Sequence, residues 1–226
     1  ALDVLFLTPS HHCPTGATLP LARRRRLLDL AAERGFLIVE DDYDFEMAVP
    51  EPATPALKSL DGRGAVIYVG SFSKALFPGL RLGFLVAAEP FVREARALRA
   101  LVLRHPPGHV QRTAAYFLSL GHYDAQIART AAAYRTRRAV MAEAIAAAGL
   151  EVAGAGGSAF WMRAPEGTDT EALARRLAAR EVLIEPGGVF FAPERGDRRH
   201  YRLGYSSIPA ERIGEGIARL ADGIAG

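Results

Sequence analysis

The residues best suited to chemistry lie in one run, Ser71-Phe72-Ser73-Lys74-Ala75-Leu76-Phe77-Pro78-Gly79-Leu80-Arg81-Leu82-Gly83. It sets a lysine and an arginine, with two hydroxyls beside them, directly after the apolar stretch Ala65-Val66-Ile67-Tyr68-Val69-Gly70. That stretch is short, β-branched and bounded by glycine, the pattern of a buried parallel strand. A lysine amine forms Schiff bases with carbonyl groups. An arginine offers a planar fork to a phosphate, and a serine hydroxyl adds a donor. An amine for an aldehyde, with Ser71 and Arg81 for a phosphate, has the recognition chemistry of pyridoxal phosphate. Taken alone, the run fits two solvated loop charges equally well.

A second segment favours the chemical reading. Phe36-Leu37-Ile38-Val39-Glu40-Asp41-Asp42-Tyr43-Asp44 is another apolar strand, running out into carboxylates and a tyrosine. Ligand sites in open parallel sheets lie beyond the carboxyl ends of the strands. The acids after one strand and the lysine after the next therefore become neighbours. A carboxylate against a pyridine nitrogen keeps it protonated and lets the ring accept electrons. A tyrosine hydroxyl would tune the phenolic oxygen. An acidic helix N-terminus accounts for Asp44 and Glu46, but not for Tyr43 together with Lys74.

The segments Thr8-Pro9-Ser10-His11-His12-Cys13-Pro14-Thr15-Gly16, Glu40-Asp41-Asp42-Tyr43-Asp44 and Ser71-Phe72-Ser73-Lys74 with Pro78-Gly79-Leu80-Arg81 resemble those of fold-type-I aminotransferases. The closest resemblance is to the aminotransferase-like domain of MocR regulators, the GntR-type bacterial transcription factors. It covers essentially the whole chain, with the three motifs in the family's order and spacing. It implies an α/β fold: a partial large domain with a mostly parallel sheet, and a smaller C-terminal α+β domain. Lys74 would carry the Schiff base to pyridoxal 5'-phosphate, Asp41 would pair with the pyridine nitrogen, and Tyr43 would donate to the phenolic oxygen. Ser71 and Arg81 would hold the phosphate. Arg202, in Tyr201-Arg202-Leu203-Gly204-Tyr205-Ser206, matches the arginine that binds a substrate α-carboxylate. The implied partners are an amino acid or related amine and a second subunit, with DNA reached only through a domain outside these residues.

Two positions depart from the family pattern. Ordinary aminotransferases carry an asparagine before Pro14-Thr15-Gly16 that reaches the phenolic oxygen, and MocR-like proteins usually an aromatic. This chain has Cys13, a weak hydrogen-bond partner, so that contact is lost or replaced. Glu181 stands after the helical stretch Ala172–Arg180, where the family usually has glycine. A glutamate at positive φ strains the turn modestly.

Composition narrows the class. The chain has 226 residues, half of them hydrophobic, enough for a sizeable core in one large or two small domains. No apolar stretch reaches the roughly 20 residues of a membrane span. The opening residues 1–9 read as a buried strand without the basic start of a signal peptide. One cysteine excludes an internal disulfide framework and fits the cytoplasm. The net charge is only +3. Arg23–Arg26 and Arg135–Arg138 sit in alanine-rich, helix-compatible stretches, where arginines solvate an outer face. No helix-turn-helix is evident.

The order of elements predicts residues 1–122 as the remainder of a large cofactor-binding domain, 123–148 as a connecting helix, and 149–226 as a small C-terminal domain. Strands are expected at 65–70, 82–87, 150–153, 160–163, 182–184 and 201–205. Helical sequence is expected at 19–34, from Pro90 to Ala148 with breaks at His105–Gly108 and near Gly121, at 170–180 and at 209–225. Only a short turn separates the 65–70 and 82–87 strands, and the resemblance makes that pair antiparallel. Gly154-Ala155-Gly156-Gly157-Ser158 precedes a strand and reads as a turn, because a phosphate cradle needs a helix after it. A complete domain of this family carries further N-terminal strands, a phosphate-binding glycine loop and a ring-stacking aromatic. By resemblance, then, the chain is a truncated piece with half of its cofactor pocket missing and exposed sheet edges.

Other candidates carry less. His11, His12 and Cys13 are adjacent, unlike helical metal ligands, so no metal site is expected. Ser71 and Ser73 lack a nucleophile elbow. His105, His109, His122 and His200 read as surface or satisfied core residues, and Phe160 and Trp161 as packing residues. Three functions stay open: an amino-acid transaminase using Lys74 as amine and general base, a ligand sensor for an attached DNA-binding domain with vestigial catalysis, and an inert remnant.

Overall fold

The computed structural model describes residues 2–42, 54–192 and 198–226. Tyr43, Asp44 and Glu46 lie outside the described residues. The chain forms two compact units, the first drawing on 2–10, 18–42 and 54–130, the second on His11–Ala17 and Ala131–Gly226.

The first unit is built on a four-stranded sheet in the order β1 (Val4–Leu7), β2 (Leu37–Asp42), β3 (Val66–Ser71) and β4 (Gly83–Val86). The first three strands run parallel, and β4 is antiparallel to β3, as the short turn between them requires. Helix α1 (Leu21–Arg34) follows β1 and ends at Gly35, whose left-handed backbone lets its N–H return to the Ala31 carbonyl at 2.8 Å. Phe36, Ile38 and Val66 pack under α1 and the short helix α2 (Leu57–Leu60), joined by Leu27, Leu30 and Ala31. The opening strand is buried on one face only. Leu5 and Leu7 join this core, whereas Phe6 is 76% exposed.

The arginine run after Leu21 departs from expectation. Arg23, Arg25 and Arg26 are solvated, but Arg24 is fully buried. Its position follows from helical phase: residues 24, 27, 28 and 31 share one face, and Leu27, Leu28 and Ala31 line the core.

The turn from α2 into β3 is tied by Asp61. Its carboxylate accepts from the N–H groups of Val66 at 2.8 Å and Arg63 at 3.0 Å, and from Lys58 Nζ at 3.4 Å. Burial pushes this carboxyl up, but those hydrogen bonds together hold it below the usual aspartate range. After β3 come the short helix α3 (Phe72–Ala75), a 3-10 turn at Pro78–Leu80, β4, and helices α4 (Glu89–Val102), α5 (Gly108–Ser119) and α6 (His122–Ala147). The breaks fall at 103–107 and 120–121, beside Pro106 and Gly121, as expected.

The second unit holds an antiparallel sheet in the order β5 (Glu151–Gly156), β6 (Ala159–Arg163), β8 (His200–Gly204) and β7 (Glu185–Pro186). One face packs on α6, α7 (Thr170–Ala178) and α8 (Ala210–Ala225) through Phe160, Met162, Tyr201, Leu173 and Ile213. Burial pushes the Tyr201 phenol up to about 12. On the opposite face Trp161 stacks on His200, ring centroids 5.2 Å apart.

Glu181 has φ +61, the left-handed conformation that the family's glycine adopts cheaply. Its N–H bonds the Ala178 carbonyl at 3.1 Å, and the Val182 N–H bonds the Leu177 carbonyl at 3.0 Å. This pair of bonds is the Schellman closure of α7. It also explains why 182–184 is not a strand: the Val182 N–H serves the helix end, and pairing with β8 starts only at Glu185. The Glu181 side chain gains only a 3.9 Å exposed ion pair with Arg219, worth little. Glu181→Gly should therefore raise stability by about 0.5–1 kcal/mol, read as a higher melting temperature.

Candidate functional site

Asp41, Ser71, Lys74 and Arg81 all belong to the first unit and to the carboxyl ends of its central strands. Strand register places Asp41 beside Val69, two residues before Ser71. Alternation then puts Asp41, Val69 and Ser71 on one face of the sheet, opposite the face that buries Ile38 and Glu40. Ser71 ends β3 and caps α3, its Oγ accepting from the Ser73 N–H at 3.2 Å. Its O–H stays available as a donor. Lys74 sits in α3, one turn further on.

The loop carrying Lys74 and Arg81 is closed at its base. The Phe72 N–H bonds the Leu82 carbonyl at 3.0 Å, and Ser71 pairs with Gly83. Two glycines permit this closure. A Cβ on Gly83 would sit 2.7 Å from the Gly70 carbonyl oxygen, and one on Gly70 would sit 2.6 Å from a Phe84 ring atom. The Phe84 ring is held between Phe72 and Tyr68, centroids 5.2 and 6.0 Å away. Arg81 itself lies in the left-handed region at φ +49, which turns the chain from the 3-10 segment into β4.

Lys58 and Lys74 are the only two lysines among 28 basic residues. Lys58 is committed to structure: its Nζ donates to the Val66 carbonyl at 2.8 Å as well as to Asp61. Lys74, Asp41 and Arg81 are exposed, and none has a hydrogen-bond or ion-pair partner among the described residues. An amine, a carboxylate and a guanidinium without partners among the described residues thus belong to one sheet end, together with the Ser71 hydroxyl. That donor set fits an aldehyde, a ring nitrogen and a phosphate.

Cys13 and Arg202 belong to the second unit, and Tyr43 is outside the described residues. Arg202 Nη1 donates to Glu185 Oε2 at 3.0 Å, a cross-strand pair set by the β7–β8 register. Both side chains are partly exposed, so the pair contributes little stability.

The glycine-rich segment does more than turn. Gly154 and Gly156 lie within β5, and only Gly157 and Ser158 form the turn. A Cβ on Gly156 would overlap the Gly16 carbonyl, and one on Gly154 the Thr15 carbonyl. The loop 11–17 therefore packs its backbone directly onto the β5 backbone. His11 Nδ1 accepts from the Gly157 N–H at 2.9 Å, and Tyr205 Oη donates to the Gly157 carbonyl. Within the loop, the His12 N–H bonds the Ala17 carbonyl at 2.9 Å, and His12 Nδ1 lies 3.3 Å from Thr15 Oγ1. Among the described residues, no group of three or more His, Cys, Asp or Glu is placed to hold a metal ion, and no helix is long and apolar enough to cross a membrane.

The family model for aminotransferase class I and II matches residues 2–220. The chain belongs to this family. It is 62% identical over 223 residues to the HTH-type transcriptional regulator TauR of Rhodobacter capsulatus, covering 97% of this chain and 46% of that protein. It is 36% identical to the 2-aminoadipate transaminase of Thermus thermophilus, covering 98% of this chain and 57% of the relative. Among solved structures, the kynurenine aminotransferase of Pyrococcus horikoshii in complex with PMP superposes with a TM-score of 0.90 at 30% identity, covering 99% of this chain and 56% of that one. The chain spans about half the length of these relatives. The fold is that of the pyridoxal-phosphate-dependent aminotransferases, and this chain is an aminotransferase-like domain.

Proposed function

We propose that this domain binds pyridoxal phosphate through Lys74 and reads an amino acid or related amine on behalf of a MocR-type transcriptional regulator. The observation that carries the reading is Lys74 itself, the one lysine of two with no hydrogen-bond or ion-pair partner among the described residues, at the same sheet end as Asp41 and Arg81, which likewise have none there. When bound, pyridoxal phosphate supplies an aldehyde that captures primary amines and a ring that draws electrons from the bonds of the captured carbon. Lys74 would hold the cofactor's aldehyde through its amine, and that amine, once displaced by a ligand's amine, would serve as the base for the ligand's α-proton. Asp41 holds a proton on the ring nitrogen by its negative charge. Ser71 and Arg81 grip the phosphate with hydrogen bonds from a hydroxyl and a guanidinium. Tyr43 donates to the phenolic oxygen, and Cys13 stands where the family's asparagine would give a stronger hydrogen bond. Arg202 receives the ligand's carboxylate, in exchange for Glu185.

The regulator context is supported by the 62% identity to TauR, against 36% to the transaminase. DNA contact then belongs to a domain outside these residues, and the protein works in the cytoplasm as a homodimer. A stand-alone transaminase uses the same side chains. The visible spectrum with pyridoxal phosphate and added amino acids separates the two. A sensor's Lys74-dependent band shifts on adding an amino acid and stays shifted, with no oxo-acid released. Steady release of oxo-acid would establish the transaminase, and no Lys74-dependent band would refute both.

A further inference from the structure

We propose that Arg24 is a positioning residue of the cofactor site, fixing Asp41 by clamping the carboxyl ends of β1 and β2. This rests on the reading that Asp41 faces pyridoxal phosphate. Arg24 and Glu40 are both completely buried. Arg24 Nε donates to the Leu19 carbonyl at 2.8 Å and Nη1 to the Pro55 carbonyl at 3.0 Å. Nη2 donates to the Pro9 carbonyl and to Ser10 Oγ, each at 2.9 Å. One guanidinium thus ties the segment after β1, the approach to α1 and the approach to α2.

Its link to β2 is Glu40, whose Oε1 lies 4.0 Å from Arg24 Nη1. Oε1 and Oε2 also accept the N–H groups of Leu57 and Lys58, both at 2.8 Å. Burial pushes the Glu40 carboxyl up, against the pull of Lys58 and Leu57 N–H and of Arg24. Glu40 is therefore held from three directions at once. Asp41 is the next residue, and strand alternation turns it to the opposite face. It has no partner of its own among the described residues, so its position is inherited from Glu40. A planar fork with four hydrogen bonds in a dry site is a task for arginine that lysine's single ammonium cannot repeat.

The test compares the wild-type protein with Arg24→Lys, Glu40→Gln and Leu27→Ala, the last a core truncation on the same helix. Pyridoxal phosphate is titrated, and the half-saturation of the Lys74-dependent visible band is read together with its pH dependence and the melting temperature. Arg24→Lys should raise half-saturation about tenfold and shift the band's pH midpoint, because a displaced Asp41 carboxylate would hold the ring-nitrogen proton less firmly. Leu27→Ala should lower the melting temperature but change half-saturation less than about threefold, with no pH shift. Equal effects of Arg24→Lys and Leu27→Ala would make Arg24 merely structural and overturn the proposal. So would an unchanged Arg24→Lys protein. Should Arg24→Lys not fold, Glu40→Gln decides: weaker binding with a shifted midpoint supports the clamp, and wild-type behaviour overturns it. A wild type with no Lys74-dependent band refutes the cofactor reading and the clamp together. A normal wild-type band with unaffected variants refutes the clamp alone.

Discussion

Gly156→Ala should cost about 3 kcal/mol of stability and release the loop 11–17 from β5. The added Cβ meets the carbonyl, carbonyl carbon and Cα of Gly16, all backbone atoms, so no side chain can rotate away to make room. Relief requires the whole Gly16–Ala17 peptide to move, and with it the neighbouring loop that carries the His11 bond to the Gly157 N–H. The same substitution at Gly214 provides the contrast. Gly214 lies in α8 with open space where its Cβ would be, so Gly214→Ala should stabilise by about 0.5–1 kcal/mol through better helix propensity. Thermal melts of the two variants should move in opposite directions. Equal melting temperatures for Gly156→Ala and wild type would mean that the loop does not rest on β5.

Lys74→Ala should abolish the visible band formed with pyridoxal phosphate while changing stability by no more than about 0.5 kcal/mol. The side chain is exposed and makes no hydrogen bond or ion pair among the described residues, so its loss leaves nothing buried and unsatisfied. Lys58→Ala should do the reverse. It strips a donor from the Val66 carbonyl and from Asp61 at the start of β3, costing about 1–2 kcal/mol, while leaving the band intact. Spectra and melts of the two variants dissociate chemistry from structure with one substitution each. A band surviving in Lys74→Ala and lost in Lys58→Ala would exchange the two assignments.

Much of this site was readable because its residues follow strands that announce themselves. β-branched runs ending in Gly70 and in Glu40-Asp41-Asp42 fix two parallel strands, and whatever follows them falls at one sheet end. Helix breaks at Pro106 and Gly121, and the strained Glu181 turn, were equally local. What stayed hidden depends on contacts between distant residues. Arg24 reads as one of four solvated arginines until helical phase aligns it with Leu27, Leu28 and Ala31, a pattern the sequence does contain. The alternation Gly154-Ala155-Gly156 also carried a signal, two glycines on one strand face, but not the identity of the backbone that approaches them. The unpaired stretch 182–184 was hidden because its β-branched residues suit a strand while its first N–H is taken by the end of α7. The Arg202–Glu185 pair was hidden for the same reason, since only the β7–β8 register brings those side chains together.

The most direct test of the central assignment is reductive trapping. The protein is loaded with pyridoxal phosphate and reduced with borohydride, which fixes the cofactor to the amine that holds it, and the peptides are mapped by mass. With two lysines in the chain the answer is nearly binary. The account predicts one phosphopyridoxyl group, on the peptide containing Lys74. A label on Lys58, or none on either lysine, would contradict it.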